Sequence, residues 1–413
     1  MKRLIPIFLV LLMSMPVFAQ LSLVGEVRPR SEFRNGFKTL ADGTVDPAFF
    51  TEQRSRIYVG FKAEKYQLKI TLQDIRIWGA NDQIHKADNG MSNINEAWGQ
   101  VELASNVNIR VGRQIISYDN QRFLGGLEWA QQGRRHDAAV FLYENQDNQL
   151  KVHVGLAYNQ DGITPEPRKI FGTTYAANNY KAMQYLWAHK DFEGGGVSAL
   201  LFNESRQYGA LLDGLSQRQT FGLVGSYKIG EIVAAGEGYY QGGSFQGVDV
   251  SAFMFDLNAT YKLSSFPITG GYQYLSGSDI GATQINHFTP AFGTNHAHNG
   301  FMDYFYVGNA HGNVGLQDIY LKTKINTGEK GNILIWGHQF LSAVDVPTAG
   351  AALGTEIDVV FTYKMAPAVT LNAGYSQLFA TETMEILKGG DRSDLQNWAF
   401  VMLTIKPTLY TGE

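Results

Sequence analysis

Polar and apolar residues alternate along most of this chain. From Leu23 to Arg34 the even positions are Val24, Glu26, Arg28, Arg30, Glu32 and Arg34, and the odd ones are Leu23, Gly25, Val27, Pro29, Ser31 and Phe33. A period of two marks β-strands with unlike faces, because successive side chains leave the pleat on opposite sides. Here one face is densely ionic and the other mostly apolar. The pattern returns where Glu52, Arg54, Arg56, Tyr58, Lys62 and Glu64 oppose Ile57, Val59, Phe61 and Ala63. Gln67, Lys69, Thr71 and Gln73 then oppose Leu68, Ile70 and Leu72, and the parity is expected to slip at a bulge near Asp74. Later segments repeat it: Asp256, Asn258, Thr260 and Lys262 against Phe253, Phe255, Leu257 and Tyr261, and Glu356, Asp358, Thr362 and Lys364 against Ile357, Val359, Phe361 and Tyr363.

About eighteen such segments can be marked, near 22–34, 52–64, 66–78, 94–103, 107–118, 134–143, 150–160, 181–191, 197–206, 217–228, 232–241, 250–262, 267–276, 315–326, 332–341, 355–365, 368–379 and 396–408. Their connections alternate between short turns, such as Lys65-Tyr66 and Ala366-Pro367, and long polar loops at 35–51, 79–93, 119–133, 161–180, 207–216, 242–249, 277–314, 342–354 and 380–395. Short at one end and long at the other is the habit of outer-membrane barrels. The pattern therefore predicts an all-β fold: a single transmembrane antiparallel β-barrel of about 18 strands, with short periplasmic turns and long extracellular loops. Tyr58, Tyr66, Tyr227, Tyr261, Phe266, Tyr363 and Tyr375 would form the interfacial girdles. A soluble two-layer β protein would bury its inner faces and would not need Arg and Glu on strand after strand. The 277–314 loop is long enough to be functional in its own right, and is expected to fold over or into the outer mouth.

Composition narrows the chemistry. The 413 residues include no cysteine, so disulfides, thiolate nucleophiles and Cys-ligated metals are excluded. A net charge of −4 argues against a nucleic-acid partner. Lys2 and Arg3, the apolar run Leu4 to Phe18 and the small-residue site Val17-Phe18-Ala19 read as a secretory signal peptide, 1–19, followed by a barrel over 20–413. Losing Lys2 and Arg3 would take the net charge to −6. No nucleophile elbow, H-E-x-x-H or P-loop is present, so an enzyme is not expected and no cofactor is called for. His287, His296, His298 and His311 share the longest loop; in so Gly/Asn-rich a setting solvated or packing roles outweigh metal binding.

Residues 107–142 are the least generic part of the chain: Arg110-Val111-Gly112-Arg113-Gln114, then Tyr118, Arg122, Gly125, Trp129, Arg134-Arg135 and Asp137. This R-x-G-R-Q, Y-x-x-x-R-x-x-G, W, R-x-D succession resembles the alginate-export family of outer-membrane barrels. So does Tyr274 to Asp279 followed by Phe288-Thr289-Pro290-Ala291-Phe292, His296 and Gly300 to Phe305. The resemblance implies an eighteen-stranded barrel with a positive lumen that conducts an anionic uronic-acid polysaccharide. The residues that match its lumen arginines are Arg28, Arg30, Arg54, Arg56, Arg76, Arg110, Arg113, Arg122, Arg134 and Arg135.

A physical reading of the arginines stands beside it. Eleven of the sixteen lie between residues 28 and 135, hence on one side of a barrel wall. Guanidinium groups bind carboxylates bidentately and stay charged, although Glu26, Glu32, Glu52, Glu64, Glu96, Glu102 and Asp137 share those strands, and a purely structural ion-pair lattice would look the same. The expected function is an outer-membrane channel that passes an anionic polysaccharide or oligosaccharide (alginate-like uronate) by diffusion along an Arg-lined lumen. The alternatives are a general or neutral-sugar porin and a surface-recognition barrel with a closed lumen. Expected partners are outer-membrane lipid, the acidic saccharide and periplasmic export or uptake components.

Overall fold

The protein is described by a computed structural model covering residues 20–84, 87–159, 179–209, 214–263, 266–305 and 313–412. The expected leader, residues 1–19, and His311 lie outside the described residues. The chain forms eighteen long strands: β1 (Gln20–Asn35), β2 (Ala48–Lys62), β3 (Tyr66–Ile77), β4 (Met91–Ala104), β5 (Val107–Gln114), β6 (His136–Asn145), β7 (Leu150–Tyr158), β8 (Ala182–Phe192), β9 (Gly195–Tyr208), β10 (Gly214–Ile229), β11 (Ile232–Phe245), β12 (Ala252–Lys262), β13 (Pro267–Leu275), β14 (Leu316–Asn326), β15 (Gly331–Val346), β16 (Gly350–Ala366), β17 (Val369–Ala380) and β18 (Gln396–Ile405). Each pairs antiparallel with the next, and β18 returns to β1 through Arg30 opposite Met402 and Glu32 opposite Phe400. Closure removes the unpaired edges that an open sheet would carry, and only closed barrels or helices satisfy the backbone in lipid. Beyond Pro407 a short strand, Thr408–Thr411, continues along β1.

The alternation read from the sequence is the division between lumen and lipid. On β1, Glu26, Arg28, Arg30 and Glu32 are buried within the barrel while Val27 is 42% exposed on its outside. Leu215, Phe221 and Leu223 on β10 face out, opposite inward Ser216, Arg218 and Thr220. Among the described residues the short turns marked in the sequence lie at one end, as expected, while at the other end β15 and β16 are also joined by a short turn, 347–349.

Four details differ from the sequence reading. The β3 parity does not slip at Asp74; the bulge is on β4, where Thr71 pairs with Glu96 and Leu72 with Ile94, leaving Asn95 extra. Tyr58 points into the lumen, where its hydroxyl donates to Glu26 at 2.6 Å, and so is not a girdle residue. Strands on the loop side run further than the apolar pattern: β11 extends to Phe245, and β15 and β16 pair as far as Val346 and Gly350. Backbone pairing there outlasts the hydrocarbon belt, so nothing in the water above it imposes alternation. Conversely β5 stops at Gln114 instead of near 118, and the chain turns into the barrel. The lumen is consequently the protein's core. Phe123, Leu124, Phe292, Met302 and Tyr304, from two inward loops, are buried against Phe202, Tyr239, Phe340 and Trp398 of the wall.

Candidate functional site

The β1 and β2 register sets arginines and acids against each other: Glu26 lies opposite Arg56, Arg28 opposite Arg54 and Arg30 opposite Glu52. Arg54 Nε donates to Glu26 at 2.8 Å, Arg30 Nε to Glu32 at 2.7 Å and Arg30 Nη2 to Glu52 at 3.2 Å. Trp398 Nε1 adds a bond to Glu32 at 2.9 Å. The four arginines Arg28, Arg30, Arg54 and Arg56 are only 3–7% exposed, so their desolvation has to be offset by pairing of this kind.

What buries them is the 115–135 loop. Arg28 Nη1 donates to the Glu128 carbonyl at 2.8 Å and Nη2 to Gln131 Oε1 at 2.8 Å. Arg30 Nη1 donates to the Trp129 carbonyl at 2.7 Å. The Glu128 carboxylate receives Arg54 Nη1 at 3.1 Å and Arg56 Nη1 at 2.8 Å on one oxygen and Arg135 Nη2 at 2.6 Å on the other. Burial tends to raise the Glu128 pKa, but the guanidinium groups of Arg56, Arg135 and Arg54 outweigh it and hold the carboxyl down to about 2. Asp119, Gln121 and Leu127 adopt left-handed backbone at φ of 51°, 65° and 51°. That conformation costs roughly 1–2 kcal/mol per non-glycine residue, so the loop holds its shape through its contacts with the wall. Gly133, at φ +68°, permits the turn back into β6: a Cβ there would sit 2.7 Å from Arg135 Nη1 and 3.0 Å from Glu128 Oε1.

The opposite wall is acidic. Glu237, Asp256, Asp318, Glu356 and Asp358 are buried on β11 to β16 and face the lumen. Arg122, from the same inward loop, reaches across to this side, with Nε 3.5 Å from Glu237 and Nη1 donating to Asn299 Oδ1 at 3.1 Å. Tyr320 donates to Asp256 at 3.0 Å, and His338 Nδ1 lies 2.9 Å from Asp318. A cavity of about 380 Å³ opens beside Arg122, lined by Glu237, Asp256, Gln273, Asp318 and Lys322 among others.

Residues 276–305 of the longest loop enter from above, as the sequence suggested. Its Met302 N–H donates to Glu356 at 2.9 Å, and Gly300, at φ +82°, lies so close that a Cβ would meet the same carboxyl at 2.6 Å. Trp129 joins both loops to the basic wall. Its ring stacks on His296 at 4.4 Å and 12°, and the Arg30 guanidinium lies 4.2 Å from its centroid. Of the loop histidines, His296 pairs with Asp303 at 2.8 Å and His287 with Ser278 at 3.0 Å, while burial pushes His298 well below the usual imidazole range. Among the described residues no group of three His, Asp or Glu side chains is arranged to hold a metal ion.

The arginines singled out from the sequence thus fall into distinct places. Arg28, Arg30, Arg54 and Arg56 converge on the 115–135 loop, and Arg135, at the loop's own end, joins them at Glu128. Arg110 lies on the same wall, bonded to Gln100 at 2.8 Å and stacked 4.4 Å from Trp98. Arg134 Nη1 donates to the Gly293 carbonyl at 2.7 Å and so ties the two inward loops together. Arg122 serves the acidic wall instead. Arg76 and Arg113 do not face the lumen. Arg76 shares the outer parity of β3 and pairs with Asp74 at 2.6 Å, and Arg113 pairs outside with Asp137 at 2.9 Å. The sequence reading missed Glu128, whose wall partners lie 72 and 74 residues earlier in the chain.

The sequence model of the alginate export family matches residues 19–317. No curated protein sequence matches the chain significantly. Several solved structures share the fold. Acinetobacter baumannii OccAB1 is 11% identical with a TM-score of 0.67, over 95% of this chain and 97% of that one. Pseudomonas aeruginosa OccK2 (OpdF) in complex with glucuronate is 11% identical with a TM-score of 0.64, over 94% and 97%. Pseudomonas aeruginosa OpdQ is 12% identical with a TM-score of 0.60, over 95% and 98%.

Proposed function

Since the chain belongs to the alginate export family and is a channel-type β-barrel of the bacterial outer membrane, we propose that its solute is an anionic polysaccharide or its oligomers, an alginate-like uronate, passing by diffusion past the arginine wall. The observation that carries this reading is the seat of Glu128, a carboxylate inside the lumen held by Arg54, Arg56 and Arg135. The group that these guanidinium groups recognise, a carboxylate, is the group that a uronate presents. Planar guanidinium groups match it in geometry, and several of them along one wall supply many sites, each weak enough to release what it binds. OccK2, similar in fold, was crystallised with glucuronate, a single sugar of the proposed class. A net charge of −4 over the chain does not oppose anion preference. Charges inside a low-dielectric wall are focused, while those on loops are screened within a Debye length of about 8 Å at physiological salt.

Reversal potentials across a planar bilayer in a salt gradient test the reading. The expected result is anion preference, partial block by uronate oligomers and little effect of neutral maltose-type sugars. Arg54→Glu with Arg56→Glu should abolish the preference, whereas Arg76→Gln with Arg113→Gln, on the outer face, should leave it intact. Cation preference in the wild type, or equal sensitivity to the outer pair, would make the channel a general or neutral-sugar porin instead.

A further inference from the structure

We propose that Arg54, Arg56 and Arg135 form a carboxylate-binding site on the conducting path, that Glu128 fills it as an internal competitor, and that a uronate carboxylate takes its place during transit. The inference rests on the anionic-saccharide reading above and gives it a residue.

Three features of the site support exchange rather than a fixed structural bridge. The first is accessibility. The Arg54, Arg56 and Arg135 side chains are 1–5% exposed, yet Glu128 is 43% exposed, so the carboxylate covers the cluster from the water side and is the one member that solvent can replace.

The second is that the cations remain held when Glu128 leaves. Arg54 keeps Glu26 at 2.8 Å, Arg56 keeps Gln73 at 2.6 Å, and Arg135 keeps Asn95 at 2.6 Å. Besides Glu128 the three guanidinium groups have two carboxylates near them, Glu26, bonded to Arg54, and Glu96, which is itself paired with Lys69 at 2.8 Å, so the vacated cluster is net positive, preorganised and in need of an anion. An unpaired buried charge is strongly unfavourable, so the cluster does not stay empty. Substituting one monocarboxylate for another keeps its charge balance constant throughout the exchange.

The third is the way Glu128 is delivered. It follows Leu127, at φ 51°, on a loop whose left-handed residues store strain that undocking releases. The carboxylate is therefore presented on a segment that can leave without disturbing β2, which carries Arg54 and Arg56, while Arg135, at the loop's junction with β6, stays tied to Asn95 of β4.

The test uses the full-length protein in planar bilayers, with a galacturonate trimer as probe and maltotriose as the neutral control. Glu128→Gln keeps the shape and removes the competing charge. Its apparent affinity for the trimer, read from single-channel block, should rise about tenfold, the gain expected if Glu128 fills the cluster about nine-tenths of the time. Maltotriose block should be unchanged, and adding Arg56→Gln to Glu128→Gln should cancel the gain. Glu128→Ala is the second variant. It should show the same gain, because the proposal assigns the effect to the lost carboxylate and not to the amide. Trimer block that is unchanged or weaker in both variants, in channels that still migrate as heat-modifiable barrels, would overturn the proposal. Anion preference in the wild-type reversal potential is read separately, so its loss would sink the parent reading and its persistence would confine the failure to Glu128.

Discussion

Replacing Trp129 by alanine should undock both inward loops while leaving the barrel itself standing. The indole is gripped on two faces, by His296 at 4.4 Å and by the Arg30 guanidinium at 4.2 Å. Its edges meet Phe400 at 4.9 Å and Trp398 at 5.7 Å. Truncating a packed aromatic to alanine costs about 3–5 kcal/mol, and since Trp129 is only half-buried the lower end, about 3 kcal/mol, applies. A desolvated cation–π contact of about 2 kcal/mol and one aromatic pair of about 1 kcal/mol reach the same figure from the individual contacts. The backbone bond from Arg30 to the Trp129 carbonyl, at 2.7 Å, survives the substitution and is not part of the loss. At about 1.4 kcal/mol per decade, the docking equilibrium shifts by more than about a hundredfold toward the open loop. Strand pairing does not pass through Trp129, so the temperature at which the barrel loses its heat-modifiable mobility should stay put. Single-channel recordings should show larger or longer openings in Trp129→Ala, and added protease should cut within residues 115–135. Trp129→Phe, which keeps a ring between Arg30 and His296, should fall between. A Trp129→Ala channel with wild-type conductance, flicker and protease resistance would refute the claim that this ring fastens the loops.

Two further outcomes follow from the same contacts. Glu128 is held at about 2 against an ordinary 4.5, so its contribution to loop docking is fully present above pH 4.5 and lost as pH falls through about 2. With its side chain 43% exposed the contribution is about 1–2 kcal/mol after allowance for screening, and channel opening measured between pH 4.5 and 2.5 should rise in the wild type more than in Glu128→Gln. Gly300→Ala should drive residues 276–305 of the longest loop off Glu356, because the new Cβ would lie 2.6 Å from the carboxyl at a φ of +82°; conductance should increase, and an unchanged value would mean that this loop does not narrow the lumen.

The barrel was legible because lipid and lumen make opposite demands on neighbouring side chains, so Arg28 and Val27, or Asp256 and Leu257, could only alternate. Closure and strand number followed from the same alternation combined with the short and long connections. The reading faltered where that contrast fades. At the rim water touches both faces, so polarity no longer tells inside from outside. Asp74 with Arg76 and Arg113 with Asp137 are polar pairs on the outer wall, although the family resemblance assigned Arg76 and Arg113 to the lumen. The 115–135 segment failed to announce itself for another reason. Its partners are set by how the barrel curls, and neither spacing nor composition relates Glu128 to Arg54, 74 residues away.

The inward loop explains how an arginine-rich lumen and a net acidic chain coexist. The barrel interior is polarised, with guanidinium groups over β1 and β2 and carboxylates over β11 to β16. The 115–135 loop is its complement in reverse, offering Glu128 to the first wall and Arg122 to the second. Glu128 and Arg122 therefore each neutralise a wall that its own strand neighbours leave unbalanced, and the loop is held at two points of opposite sign. A solute that competes at one point has to resemble the group it displaces. Carboxylates can compete for the seat of Glu128, cations for that of Arg122, and a neutral sugar for neither. On this reasoning the selectivity of the channel lies less in how many arginines line it than in which end of the loop gives way first. The exposure of Glu128, against an Arg122 side chain that is 1% exposed, makes the anionic end the one that yields.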